Sequence, residues 1–137
     1  MCKIVIVFFL LFNLYICEEE NDGTRIFEVS QQLIGKDVFN VRLGEKFALK
    51  FKSNPSTGNS WAFLNEDEVN DVLLFIESKL LNPYAGQINP PIGSGEYELF
   101  YFKAIKETDE AISLNFNYGK SSKNNALYSS VVKINVN

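Results

Sequence analysis

The stretch KFALKFK, residues 46–52, sets the pattern on which the fold of the chain depends. Its apolar side chains Phe47, Leu49 and Phe51 occupy every second position, and three of the four other positions carry lysines, at residues 46, 50 and 52. Successive side chains of a β-strand point to opposite faces of the sheet. The stretch therefore predicts a strand with one buried face and one face in solvent.

The same period of two recurs along most of the chain, in segments separated by irregularly spaced Gly, Pro and Asn residues. The further candidate strands cover residues 38–43, 61–63, 97–106, 111–119 and 129–137. Seven or eight short strands without long helical periods predict an all-β fold, an antiparallel sandwich of two sheets. Phe100, Phe102 and Phe116 are expected to lie in its core.

The segment EDEVNDVLLFI, residues 66–76, allows two interpretations. It could form a short helix, or a turn followed by a strand over residues 72–78. The β-rich surroundings favour the turn and strand. The longest connection follows, over residues 82–95, and holds three of the four prolines of the chain.

The N-terminus has the features of a secretory signal peptide. Lys3 precedes an apolar run of 13 residues, 4–16, which is followed by the acidic stretch EEEND. As a helix the run would measure about 20 Å, too short to cross a bilayer comfortably. We expect residues 1–17 to be removed, residues 18–36 to form an N-terminal segment with the first strand, and residues 37–137 to form the sandwich. An uncleaved membrane anchor is the alternative.

This assignment determines the compartment and the charge of the mature protein. The protein would enter the secretory pathway, to be secreted or kept in vesicles of the lysosome or phagosome type. Both cysteines, Cys2 and Cys17, would be lost with the signal, so the mature core would have no disulfide. Losing Lys3 changes the formal charge from −4 to −5, which disfavours nucleic acid as a partner. We expect a monomer outside the membrane.

The composition also excludes most catalytic chemistry. The chain has no histidine, which removes Ser-His-Asp and Cys-His arrangements and the usual zinc ligand sets. Two acidic clusters, at residues 66–68 and 107–110, lie in turn-like sequence without apolar flanks that would raise a pKa. The Gly-Ser-Gly at residues 93–95 lacks the Lys-Ser/Thr of a phosphate loop. The sequence predicts a binding protein with no cofactor, no metal and no enzymatic activity.

The candidate binding site is the loop SNPSTG, residues 53–58, just before the single tryptophan, Trp61. Pro55 restricts its own backbone and that of Asn54, and Gly58 permits a positive φ where the chain reverses. Ser56 and Thr57 leave a small, uncharged tip, which can enter a narrow cleft without desolvating a charge. The alternative is a well-made turn next to a tryptophan that belongs to the core.

The stretch SNPSTGNSW resembles the Asn-Pro-Thr-Thr-Gly-x-x-Trp signature of the chagasin family, immunoglobulin-like protein inhibitors of papain-type cysteine proteases. The resemblance extends from about residue 37 to the C-terminus. The family's Gly-x-Gly-Gly motif corresponds to Gly93, Ser94 and Gly95, followed by Glu96 in place of the last glycine. Its Arg-Pro-Trp motif falls at Lys120, Ser121 and Ser122, where Lys120 keeps a positive charge and the Pro and Trp are absent.

The resemblance implies an immunoglobulin-like sandwich and a function. Three loops at one end would form a wedge that inhibits papain-like proteases reversibly and competitively, by occlusion. The implied binding residues are Asn54, Pro55, Ser56, Thr57, Gly58, Trp61, Gly93, Ser94, Gly95, Lys120, Ser121 and Ser122. Thr57 would lie nearest the catalytic cysteine of the protease.

Two other functions stay open on the residues alone. A sandwich fold also suits an immunoglobulin-like adhesion or receptor-type module. Exposed aromatic residues on one sheet face, such as Tyr84 or Tyr97, would favour it. A carboxylate-based hydrolase would require a cleft that joins two acidic clusters.

Overall fold

The computed structural model describes residues 22–30, 38–89, 95–120 and 125–137. This part of the chain forms eight strands, in most of which apolar and polar residues alternate. The strands are β1 (Arg25–Val29), β2 (Val38–Val41), β3 (Lys46–Ser53), β4 (Ser60–Phe63), β5 (Leu73–Leu81), β6 (Glu96–Ala104), β7 (Ile112–Gly119) and β8 (Tyr128–Val136).

The strands form two sheets of four. Sheet A has the order β1-β3-β6-β5 and sheet B the order β2-β8-β7-β4. The pairings within β3-β6-β5 and within β8-β7-β4 are antiparallel. β1 joins β3, and β2 joins β8, in parallel. The predicted all-β, immunoglobulin-like sandwich is confirmed, with parallel pairing added at one edge of each sheet.

The core lies between the sheets and is built largely from aromatic rings. Phe51 is near its centre, with its ring centroid 4.6 Å from that of Phe116 and 4.7 Å from that of Trp61. The residues expected to point inward are buried, including Phe47, Leu49 and the predicted core residues Phe100, Phe102 and Phe116. Tilted and edge-on contacts between these rings stabilise the core. In small secreted domains disulfides often have that role.

The segment at residues 66–76 combines both interpretations of the sequence. One turn of helix, α1 (Glu66–Val69), replaces the expected turn, and β5 follows over Leu73–Leu81 instead of residues 72–78. Asn65, at the N-cap position of α1, has a buried side chain that bonds to β7 and does not cap the helix. Its amide nitrogen donates to the Ser113 carbonyl at 2.9 Å, and its oxygen accepts from the Asn115 N–H at 2.8 Å. The side chain thus continues the hydrogen bonding of β4 to β7 while the main chain turns into α1.

The predicted signal peptide, residues 1–17, lies outside the described residues, and so does the predicted boundary between residues 36 and 37. In the part of the chain that the structure describes, no helix is long and apolar enough to cross a membrane. Strand β1 pairs with β3 over five residues.

Candidate functional site

The strand registers bring three loops to one end of the sandwich. In sheet A, Ser53 at the end of β3 is opposite Glu96 at the start of β6. In sheet B, Ser60 at the start of β4 is opposite Gly119 at the end of β7. The loops of residues 54–59, 82–95 and 120–127 therefore begin or end at the same end of the molecule. We call this end the loop end.

The first loop is a compact turn held by its own hydrogen bonds. Residues Pro55–Thr57 form one turn of 3-10 helix, and Gly58 ends it with φ +76° and ψ 11°. The Thr57 N–H donates to the Asn54 carbonyl at 3.1 Å, and the Thr57 hydroxyl donates to the same oxygen at 2.6 Å. The Ser56 hydroxyl donates to the Asn54 side chain at 2.6 Å. Asn54 thus organises the loop locally, as its residue type predicts.

The tip of this turn is exposed and uncharged. Asn54, Ser56, Thr57 and Gly58 are exposed, and Pro55 is half-buried. The Asn59 side chain donates to the Thr57 hydroxyl at 2.8 Å from the other side. Two bonds therefore fix the Thr57 side chain, so little rotamer freedom remains to be lost when a partner binds.

Two aromatic residues below the turn fix its position on the sandwich. The Tyr118 hydroxyl accepts the Asn54 N–H at 3.0 Å. The Trp61 indole donates its Nε1–H to the Lys52 carbonyl at 2.9 Å, and its ring lies 5.1 Å from that of Tyr118. Trp61 is only 5% exposed. Its side chain offers a partner almost no surface; it belongs to the core and supports the loop from below.

Glu98, which the sequence analysis did not single out, joins the two sheets beneath the same loop. Its carboxylate accepts the Ser53 hydroxyl at 2.6 Å and the Trp61 N–H at 3.1 and 3.2 Å. Because β4 is an edge strand, this N–H has no neighbouring strand on that side within the described residues. The alternation of β6 could have indicated this role, since it places Glu98, an acidic residue, on the same inward face as Phe100 and Phe102.

The second loop is only partly described. Gly95 lies half-buried beside the first loop, where a Cβ would be 3.1 Å from Cε of Lys52 and 3.4 Å from the Ser53 carbonyl oxygen. Glu96, which follows it, accepts a hydrogen bond from the Asn82 amide at 3.1 Å across the mouth of the loop. Gly93 and Ser94 lie outside the described residues.

The third loop begins at an unusually close approach of the backbone. A Cβ on Gly119 would lie 2.4 Å from the Asn125 carbonyl oxygen, so the glycine allows the loop to fold back. The Leu127 N–H then donates to the Tyr118 carbonyl at 2.7 Å. Lys120 is exposed at this point, and Ser121 and Ser122 lie outside the described residues.

The two acidic clusters of the sequence lie away from the loop end, since one follows β4 and the other follows β6. Their acidic side chains are exposed, and within the described ranges no group of three or more His, Cys, Asp or Glu residues could hold a metal. The described residues of the loop end present hydroxyls and amides on the hydrogen-bonded first loop, with Lys120 at the start of the third loop. This arrangement suits recognition of a concave surface.

Comparison with known proteins agrees with this geometry. The model of the chagasin family peptidase inhibitor I42 matches residues 40–136, and no curated protein matches the chain. A similar solved structure is the cysteine protease inhibitor EhICP2 from Entamoeba histolytica, with a TM-score of 0.59, 13% identity, and 83% of this chain and 96% of that chain covered. Another is amebosin, with a TM-score of 0.57, 18% identity, and 83% and 98% covered.

At these identities the two structures show a shared fold. The family model matches more than half of the sequence, from β2 through β8. The chain therefore belongs to the chagasin family of peptidase inhibitors and is not an enzyme.

Proposed function

We propose that the chain inhibits papain-type cysteine proteases reversibly and competitively, by inserting the turn at residues 54–58 into the active-site cleft. One observation carries the proposal. An uncharged, exposed turn is fixed internally by the Asn54 side chain and carbonyl, and is fixed to the sandwich through the hydroxyl of Tyr118. A preformed wedge of this kind loses little conformational entropy on binding.

The chemistry of the tip matches the proposed cleft. A papain-type site holds a thiolate and an imidazolium, which neutral hydroxyls and N–H groups can solvate without burying a further charge. In this proposal Thr57 lies nearest the catalytic cysteine. Because hydrogen bonds at Thr57 and Gly58 close a turn of 3-10 helix, residues Pro55–Thr57 do not have the extended backbone of a bound substrate. The inhibitor would therefore bind without being cleaved.

The other two loops would contact the walls of the cleft. Gly93, Ser94 and Gly95 would lie on one side of the wedge, and Lys120, Ser121 and Ser122 on the other. Two positions support this arrangement: Gly95 lies beside Ser53, just before the first loop, and Lys120 follows Gly119, which is opposite Ser60 just after that loop. Each copy would occupy one protease, with a footprint of roughly 800 Å² per partner.

The proposed location is the secretory pathway, after removal of residues 1–17. Proteases of the papain type in lysosome-like or phagosome-like vesicles, or outside the cell, would be the targets. The adhesion alternative receives less support, because Tyr84 and Tyr97 are half-buried and the ammonium of Lys50 lies over the Tyr97 ring at 4.0 Å.

The test is a titration of papain and of a cathepsin L-type protease with the purified protein, following hydrolysis of a fluorogenic peptide. Thr57→Glu would bury a charge in the complex, so inhibition should weaken at least about 100-fold. Thr24→Glu adds the same charge next to β1, at the opposite end, and should inhibit like the parent protein. Equal inhibition by both variants would contradict insertion of the tip. No inhibition by the parent protein would contradict the choice of protease class.

A further inference from the structure

Strand β5 is the most exposed apolar element of the described residues. It forms one edge of sheet A, and within the described part of the chain it pairs only with β6. Its exposed residues include Leu74, Ile76, Leu80 and Leu81, whose exposed fractions are 50%, 44%, 54% and 45%. An edge strand offers unpaired backbone N–H and C=O groups, which another strand can use. Proteins ordinarily protect such edges, so an exposed apolar edge is a candidate binding surface for another strand.

From the sequence we expected a monomer, a prediction that is untested. We propose instead that two copies of the chain associate through β5, as antiparallel neighbours centred on Ser78. The two-fold axis would stand perpendicular to sheet A and join two four-stranded sheets into one sheet of eight strands. This inference does not depend on protease inhibition.

The charges on β5 are complementary to themselves in this register. In an antiparallel pair centred on Ser78, Glu77 of one copy is directly opposite Lys79 of the other, and the reverse pair forms across the axis. Within one copy these two side chains already lie on the same face, with Nζ and Oε1 3.0 Å apart. They are half exposed, at 58% for Lys79 and 49% for Glu77. Two copies would thus form an alternating square of four charges.

Neighbouring registers lack this match. Centring the pair on Lys79 or on Glu77 would place like charges directly opposite each other, which is destabilising. Centring it between two residues would place an inward-facing residue opposite an outward-facing one, which the two-fold symmetry of an antiparallel pair forbids. Centring on Ser78 is the register of the strand's middle that satisfies both conditions.

The apolar residues on either side of the charges also match. β5 has a bulge between Phe75 and Glu77, so Phe75 and Ile76 together occupy one position of the ladder. In the pair centred on Ser78, Leu80 of one copy is then opposite the bulged pair of the other copy, and Leu81 is opposite Leu74. The inward-facing residues Phe75 and Leu80 meet each other, and so do the outward-facing residues Leu74 and Leu81.

The proposed dimer leaves both loop ends free. β5 ends at the loop end, since Leu81 is opposite Tyr97 near the start of β6. Antiparallel pairing would direct the loop ends of the two copies away from each other. A single strand pair buries a small area, at the lower limit of specific interfaces, so association should be weak.

The experiment is sedimentation velocity of the purified protein between about 1 and 300 µM, a range suited to weak association. The weight-average mass should rise towards that of a dimer with concentration. Glu77→Lys would place lysines opposite lysines, and Lys79→Glu would place glutamates opposite glutamates. Each single variant should raise the dissociation constant at least about tenfold, while the double variant Glu77→Lys/Lys79→Glu should restore it.

Mixing provides a test that effects on folding cannot imitate. Glu77→Lys and Lys79→Glu should each stay monomeric alone, and an equimolar mixture should form heterodimers, because unlike charges then meet at both crossings. A Lys133→Glu variant reverses a charge on β8, in the other sheet, and should dimerise like the parent. A parent protein that stays monomeric at the highest concentration would overturn the proposal. So would a dimer that is insensitive to both reversals, or a mixture that does not associate.

Discussion

The carboxylate of Glu98 on β6 accepts the backbone N–H of Trp61 on β4, and so joins sheet A to sheet B directly below the first loop. The same carboxylate accepts the Ser53 hydroxyl at the end of β3. The loop of residues 54–59 leaves β3 and enters β4, so Glu98 holds both of its stems. The spacing between these stems determines the shape of the turn, and Glu98 is therefore a positioning residue for the proposed wedge.

Replacing Glu98 tests this role. Glu98→Ala removes a charged acceptor from a partly buried N–H and hydroxyl, so the free energy of unfolding should fall by about 2 kcal/mol. The inhibition constant should rise about tenfold, because the stems can separate. Glu98→Gln keeps one acceptor oxygen and should show a smaller loss of both. Urea denaturation and inhibition kinetics check this, and an alanine variant with parental values in both would contradict the role.

The Tyr118 hydroxyl can be removed without disturbing the aromatic core. Tyr118→Phe keeps the ring contacts with Trp61 and Tyr128 and deletes the acceptor of the Asn54 N–H. The unfolding free energy should fall by about 1 kcal/mol, and inhibition should weaken several-fold because the turn is no longer fixed to β7. Tyr101→Phe, in the middle of β6, should leave inhibition unchanged. Equal inhibition by Tyr118→Phe and the parent would show that the bond does not position the turn.

Gly58 and Gly44 form a matched pair at opposite ends of the sandwich. Their φ angles are +76° and +81°, and a Cβ on either would meet nothing within 4 Å. Alanine at each position should cost about 1–2 kcal/mol of stability through backbone strain alone. Gly58→Ala should also weaken inhibition about tenfold or more, since the turn relaxes away from its shape. Gly44→Ala should not, once folded protein is compared at equal concentration. Identical inhibition constants would argue against the first loop as the wedge.

Gly119 and Gly95 allow a second comparison of alanine variants, because an added Cβ would meet a backbone atom at Gly119 and a flexible side chain at Gly95. A Cβ at Gly119 would collide with the Asn125 carbonyl at 2.4 Å, so Gly119→Ala must displace the third loop. At Gly95 the nearest atom, at 3.1 Å, is Cε of Lys52, a side chain that can move. Gly119→Ala should weaken inhibition more than Gly95→Ala does. Thermal unfolding, followed by circular dichroism, controls for loss of fold, and the reverse order would contradict a role for the third loop.

Much of the fold could be predicted from the sequence, because alternation of apolar and polar residues directly encodes which face of a strand is buried. Phe47, Leu49 and Phe51 on β3, and Phe116 on β7, lie inside as expected. The parallel pairing of β1 with β3, and of β2 with β8, could not be predicted, because the direction of a pairing depends on which distant segment each strand meets. The sequence allowed the helix α1 but favoured a turn in its place, since one turn is too short to show a helical period.

Of the candidate site, too, one part could be predicted from the sequence and another part could not. The sequence by itself determined the uncharged Asn-Pro-Ser-Thr-Gly turn, because proline, glycine and asparagine act on the backbone next to them. Only the tertiary structure decided that Trp61 lies beneath this turn, that Tyr118 and Glu98 hold its stems, and that Gly95 lies near the start of the first loop and Lys120 near its end. Those contacts join residues up to 64 positions apart. Sheet register brings such residues together, and register is a property of the packed sandwich that no single segment contains.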